Sequence, residues 1–321
     1  MKCIFLPFIN GAAGQTWRED LENDFISNEG KTLTDEINII RNKKQDHKRK
    51  DDYYRELHPK KSERQALWLK RLMGETAALF KNKLEALPAD ELTSSDTTII
   101  AALPEFYWYD INDNQKHKDD IINYHKPIYS SNLINYLLDR ENPLMKLTND
   151  YPNLIIFAGT AMWKYIDYKN KESIYNTLMI FGNGKLLKLW TKVNVSSIDG
   201  FSSFNKLVKD KVGHGVITDE PMIVFNGKTF VYDICLDFIA GKNGIPLSSE
   251  LCNSSADINV LISAGMPIFN KKLSVIKAPV ILRCDGNNVS ASYAEIRKCD
   301  GTELAAQTKD DVIIDDLEAD I

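Results

Sequence analysis

The sequence lacks any CxxC pair: its five cysteines, Cys3, Cys235, Cys252, Cys284 and Cys299, are scattered and odd in number. That pattern argues against a disulfide framework and a zinc site, and it fits the reduced thiols of a cytoplasmic protein. The five histidines are also dispersed, none with another His or Cys at ligand spacing, so no protein-bound metal is expected. No run approaches the roughly 18 to 20 apolar residues of a membrane-spanning helix. The apolar N-terminal run is too short for a secretory leader and contains Pro7, so it reads as a first strand. An excess of positive charge is missing as well. Forty Lys plus Arg stand against forty-five Asp plus Glu, a net charge of -5, which gives no field to gather nucleic acid or an anionic membrane. No internal repeat or low-complexity linker divides the chain.

What is present is enough apolar material, 43% of the chain, to bury a large core. Short runs rich in Ile, Val, Phe and Tyr recur at 153–159, 174–181, 186–190, 222–225, 229–234, 258–263, 280–284 and 290–296, each bounded by Gly, Asn, Asp or Pro. Asn183-Gly184 and Asn226-Gly227 join two pairs of them. This dipeptide supplies the positive φ angles of a tight hairpin, so much of the sheet is expected to be antiparallel or mixed. Helices are expected from 62, where Ser-Glu-Arg-Gln fits a capping box, to the stop at Pro88, and again over 132–138. The segment 36–61 interleaves Lys and Arg with Asp and Glu and reads as a solvated surface insertion. The economical organisation is one domain, 1–321, with a charged helical insertion at about 30–90.

Three segments carry ionisable residues at strand ends. The run TTIIAALPE, 97–105, delivers Glu105 after Pro104, with the aromatic cluster 106–109 behind it. The hairpin 174–192 contains IYNTLMIF and returns to end on Lys192. The run TFVYDICLDF, 229–238, presents Cys235. Strand tips are where α/β folds collect ligands and catalytic groups. Taken singly, each residue has a blander explanation as a cap, a snorkelling lysine or a core thiol.

In this order and context the three segments resemble the signature segments of the nitrilase, or carbon-nitrogen hydrolase, superfamily. The resemblance covers about the last two-thirds of the chain and includes ADINVLISA at 256–264 and the tail 292–321. It implies an α/β fold, a four-layer α-β-β-α sandwich. It also implies a Glu-Lys-Cys triad of Glu105 as general base and acid, Lys192 as oxyanion stabiliser and Cys235 as nucleophile, with the backbone of Leu236 as a second oxyanion donor. Two departures stand out. Family members usually have Tyr after the Cys and Arg a few residues on, whereas this chain reads Leu236-Asp237-Phe238-Ile239. Where many carry a second Glu after the Lys, the nearest acid here is Asp199.

The implied activity is hydrolysis of a non-peptide carbon-nitrogen bond in a small amide or nitrile, through a thioester and without a cofactor. Trp108, Trp163 and Met266 are the expected pocket residues. Family members commonly form homodimers or larger assemblies, and that is the expected state. A papain-like mechanism lacks a matching histidine, and Gly182-Asn183-Gly184-Lys185 lacks the spacing of a phosphate loop. Two other readings use the same residues: a catalytically inactive binding or interaction protein of this fold, and an amidohydrolase acting on a protein side chain.

Overall fold

The computed structural model describes residues 2–8, 16–42, 50–105, 107–108, 129–166, 172–194, 220–240, 245–252, 255–268, 276, 278–286 and 294–307. Two six-stranded sheets form its centre. The first takes β1 (Lys2–Pro7), β2 (Thr97–Leu103), β3 (Tyr129–Ser130), β4 (Leu154–Ile166), β5 (Glu172–Gly182) and β6 (Lys185–Thr191). Its order is β1-β2-β4-β5-β6, with β3 pairing β4. The second takes β7 (Met222–Phe225), β8 (Lys228–Ile234), β9 (Ile258–Ser263), β10 (Val280–Asp285), β11 (Ala294–Lys298) and β12 (Glu303–Gln307), in the order β12-β11-β10-β9-β8-β7. Both sheets are mixed. β1, β2 and β4 run parallel, as do β8, β9 and β10, while hairpins add the antiparallel edges. The two Asn-Gly hairpins form as their sequence requires, with φ of 52° and 67° at Asn183 and Gly184 and of 48° and 74° at Asn226 and Gly227.

Strand alternation sorts the side chains into two layers. Cys3, Phe5, Ile100, Ala102, Ile155, Phe157, Leu178 and Ile180 of the first sheet face Phe230, Tyr232, Val260 and Leu282 of the second, forming one continuous core. Ile4, Leu6, Ile99, Ala101, Leu154, Ile156, Met179 and Phe181 point the other way, into a helical layer. That layer draws on α1 (Thr16–Ser27), α3 (Lys50–Glu85), α5 (Ser131–Leu138) and α6 (Pro143–Asp150), through Phe25, Trp68, Leu69, Leu72, Phe80, Leu84, Leu137 and Leu144. On the outside of the second sheet, the helix against β8 is α7 (Leu247–Leu251). The result is an α/β sandwich of two sheets flanked by helices.

The helix expected to start at 62 instead begins at Lys50 and passes through Pro59. Ser62 is therefore interior, not a cap. Proline costs a helix an N–H and a steric clash. Packing compensates here: α2 (Lys31–Asn42) lies along the first half of α3, where Ile37 and Ile40 meet Tyr53 and Leu57. The second half of α3 covers the first sheet. A short α4 (Ala89–Thr93) leads into β2. Among the described residues no helix is long and apolar enough to cross a membrane.

Candidate active site

Three strand ends converge. β6 reverses twice relative to β4, so it points the same way as β2, and their C-terminal ends share one side of the sheet. The sheets are tied at that side by the Glu105 N–H, which donates to the Ser263 carbonyl at the end of β9 (3.2 Å). β9 is parallel to β8, so Cys235 emerges next to it.

The Pro104–Glu105 turn depends on a close approach from β4. Gly159 sits at φ +62°, and a Cβ there would lie 2.5 Å from the Pro104 carbonyl oxygen. The β4–β5 register breaks at the same place, between Phe157 and Thr160. This is a bulge that bends the strand around the turn carrying the carboxylate.

Glu105, Lys192 and Cys235 are buried, at 3%, 1% and 3% exposure. The Lys192 ammonium donates to Glu105 Oε1 at 2.7 Å, and Asn176 Nδ2 donates to the same oxygen at 2.9 Å. Asn176 also fixes Lys192 through its backbone, since the Lys192 N–H donates to the Asn176 carbonyl (2.8 Å). One β5 residue thus orients both members of the ion pair. Cys235 opens the 3-10 turn Cys235–Phe238 with φ 47°, in the left-handed region that costs a residue with a Cβ about 1–2 kcal/mol. Such strain is held in place by the surrounding structure.

Burial pushes the Cys235 thiol well above its ordinary range. The Glu105 charge and a hydrogen bond with that carboxylate push it in the same direction, while Lys192 and a hydrogen bond with the Ala264 backbone oppose them. At neutral pH the sulfur therefore carries its proton and lies against a carboxylate able to accept it.

Around this cluster the loop 263–266 is held from below. Arg283 Nη1 donates to Asp285 Oδ2 (2.5 Å) and to the Met266 carbonyl (3.3 Å), and its Nε pairs with Glu295 Oε1 (2.6 Å). Asp285 Oδ1 accepts the Gly265 N–H at 2.6 Å. On the other side Asp237 is sealed at 0% exposure. Its Oδ1 accepts the Asn194 backbone N–H (2.7 Å) and Asn194 Nδ2 (3.0 Å), and its Oδ2 accepts the Val193 N–H (3.2 Å). Burial is the main cause that lifts the Asp237 carboxyl to about 7.

The structure therefore brings Glu105, Lys192 and Cys235 together, with Leu236 on the same turn as Cys235. Met266 belongs to the loop beside them and to the core between the sheets. Two expected pocket residues do not line this space. Trp108 is locked in the helix-facing core, its indole N–H on the Ala158 carbonyl (2.5 Å). Trp163 faces the same way, donating to Thr177 Oγ1 (2.8 Å) and lying against Tyr175. For Trp163 the bulge at Gly159 is the physical reason: it shifts the alternation of β4 by one, so a residue counted onto the inner face from Ile155 and Phe157 emerges on the outer one. Asp199 lies outside the described residues. Asn176, Asp237 and the Arg283–Asp285 pair were missed in sequence. Asn176 alone left a signal there, a polar residue at the inward parity of Leu178 and Ile180.

Among the described residues no group of three or more His, Cys, Asp or Glu side chains is arranged to hold a metal ion. What the fold and the cluster define is an α/β sandwich with a buried thiol, carboxylate and ammonium at the ends of three strands. No protein-family model matches the chain, and no curated protein matches it in sequence. Solved structures do resemble it. A glutamine-dependent NAD+ synthetase from Acinetobacter baumannii is 13% identical over 75% of this chain, with a TM-score of 0.46, and the chain spans 42% of the synthetase's length. A CN-hydrolase superfamily protein from Xanthomonas campestris is 12% identical over 77% of this chain and 85% of its own, with a TM-score of 0.45. An amidase from Nesterenkonia sp. is 13% identical over 73% of this chain and 80% of its own, with a TM-score of 0.42.

Proposed function

We propose that this chain hydrolyses a carbon-nitrogen bond in a small amide or nitrile, using Cys235 as nucleophile, Glu105 as proton acceptor and donor, and Lys192 as oxyanion stabiliser. The observation that carries the reading is the buried cluster: Lys192 and Glu105 pair at 2.7 Å beside a thiol presented on a left-handed turn. A purely structural cysteine has no need of strained backbone or of two charged neighbours in a sealed site.

The chemistry follows from the protonation states. A thiol pushed up by burial does not attack as a preformed thiolate. It attacks as its proton passes to Glu105, so the sulfur–carbon bond forms while the sulfur–hydrogen bond breaks. In an amide the carbonyl oxygen gains the negative charge, and in a nitrile the nitrogen does, on the way to a thioimidate that water then converts to the thioester with loss of ammonia; the Lys192 ammonium and the Leu236 N–H stabilise that charge. Glu105 then gives its proton to the leaving nitrogen, and ammonia or an amine departs as the carbon-nitrogen bond breaks. Water, deprotonated by Glu105, adds to the thioester, and the acid leaves as sulfur recovers its proton. Lys192 keeps its charge throughout, and Asn176 keeps both partners in register. No cofactor enters the sequence. The substrate is a small molecule, and the active form is a homodimer or larger homo-oligomer.

A non-catalytic binding protein of the same fold has one observation in its favour, the near-complete burial of all three side chains. Turnover of an amide panel by the wild type and by Cys235→Ala, Lys192→Met and Glu105→Gln separates the two. Hydrolysis lost in each variant supports the enzyme. Hydrolysis retained in Cys235→Ala removes it, and alkylation-resistant Cys235 in an inactive wild type favours the binding protein.

A further inference from the structure

The two groups assigned to the substrate oxygen come from different parts of the chain. Lys192 directly follows β6 of the first sheet, and Leu236 lies on the turn after β8 in the second. Their relative position is not set by a shared strand pairing, because among the described residues no strand of one sheet pairs with a strand of the other. Asp237 bridges them. It is one residue beyond Leu236, and its carboxylate takes the backbone N–H of Val193, one residue beyond Lys192, together with the backbone and side-chain N–H of Asn194. A carboxylate that accepts from two successive backbone N–H groups fixes the direction of that backbone as well as its distance. The turn bearing Leu236 is itself closed by the Ile239 N–H on the Leu236 carbonyl (3.1 Å), so it moves as a unit with Asp237.

We infer that Asp237 is a positioning residue that sets the spacing between the Leu236 N–H and the Lys192 ammonium, and so shapes the oxyanion site. Both of its carboxylate oxygens are taken up by the Val193 and Asn194 N–H groups. The inference rests on the proposed addition of Cys235 to a carbonyl, and it goes further in assigning the geometry of the oxygen-binding half of the site to a residue outside the triad. It also separates two kinds of reaction at the same sulfur. Addition to a carbonyl builds charge on an oxygen between the two donors and needs their spacing. Displacement of iodide from iodoacetamide builds none there and needs only the sulfur and its proton acceptor.

The test uses the full chain and two probes. Propionaldehyde adds reversibly to a thiol: the sulfur–carbon bond forms, the carbonyl π bond opens, Glu105 takes the thiol proton, and the tetrahedral adduct holds its alkoxide oxygen between the Lys192 ammonium and the Leu236 N–H. Iodoacetamide labels the same sulfur irreversibly. The rate of Cys235 labelling, read by peptide mass, is measured with and without the aldehyde for wild type, Asp237→Asn and Asn194→Ala. In Asp237→Asn the labelling rate stays at the wild-type value while protection by aldehyde requires about tenfold more of it, a partial loss below the roughly hundredfold cost of removing an oxyanion donor outright. Asn194→Ala, which removes one donor to the clamp and keeps Asp237, weakens protection in the same sense by a smaller factor, and it carries the test if Asp237→Asn does not fold. Equal protection in wild type and variants overturns the inference, and so does a loss of labelling that matches the loss of protection, which marks a structural role. A wild-type thiol that labels but is never protected overturns the carbonyl-addition reading itself.

Discussion

Replacing Lys192 by Met removes the ammonium and leaves the Glu105 carboxylate buried. Both side chains of the pair are 0% exposed at 2.7 Å. At an effective dielectric near 20 their attraction is about 6 kcal/mol, most of it offset by the cost of taking both charges out of water. Removing one partner abandons the attraction and keeps the other's desolvation, so the single variant loses about 3–5 kcal/mol. For a chain of this size that lowers the melting temperature by about 4–7 °C. Glu105→Gln keeps an acceptor for Asn176 but strands the ammonium, with a similar penalty. The double variant has neither charge to desolvate and recovers about 2 kcal/mol relative to the sum of the singles. Thermal and urea unfolding of the four proteins gives the coupling. Additivity within about 0.5 kcal/mol would refute the argument that Lys192 and Glu105 hold each other in the core.

Three further predictions concern the frame around the cluster. Cys235 is left-handed at φ 47°, so Cys235→Gly is more stable than Cys235→Ala by about 1 kcal/mol in urea unfolding, opposite to the usual order for a residue at a strand end; Ala equal to or above Gly sinks the strain argument. Gly159→Ala meets the Pro104 carbonyl oxygen at 2.5 Å with φ +62°, so it costs about 2–3 kcal/mol and lowers turnover by displacing Glu105; a neutral effect on both means the bulge does not hold the turn. The third uses the raised carboxyl of Asp237. Below about 3.8 this group is protonated whether the chain is folded or not, and between there and about 7 only the folded chain keeps the proton. Its contribution to stability is therefore full at acid pH and is lost as pH rises through about 7, by at most about 4 kcal/mol. Urea unfolding across this range shows a shallower pH slope in Asp237→Asn than in wild type, whereas parallel slopes contradict the assignment.

The parts of this molecule that were legible in sequence are those fixed by local chemistry. Asn183-Gly184 and Asn226-Gly227 announce their hairpins because few other dipeptides adopt two positive φ angles cheaply. Glu105, Lys192 and Cys235 were legible as strand-end residues in a recognisable order. What escaped depends on packing between distant segments. α3 runs through Pro59 because α2 supports it, and no capping rule can see that support. The face of Trp163 follows from where β4 is bulged, and a lone Gly159 inside an apolar strand gave too little to place the shift. Asp237 was given no role in sequence. Its role is set by Val193 and Asn194, more than forty residues earlier in the chain.

The reaction proposed for this site passes through an acyl group on Cys235. The direct measurement is acid quench of the wild-type chain during turnover of a small amide, followed by peptide mass mapping and assay of released ammonia. The expected result is an acyl mass on the Cys235 peptide that disappears on longer incubation, with neither adduct nor ammonia from Cys235→Ala. Ammonia release undiminished in Cys235→Ala, or an acyl group on any other residue, contradicts it.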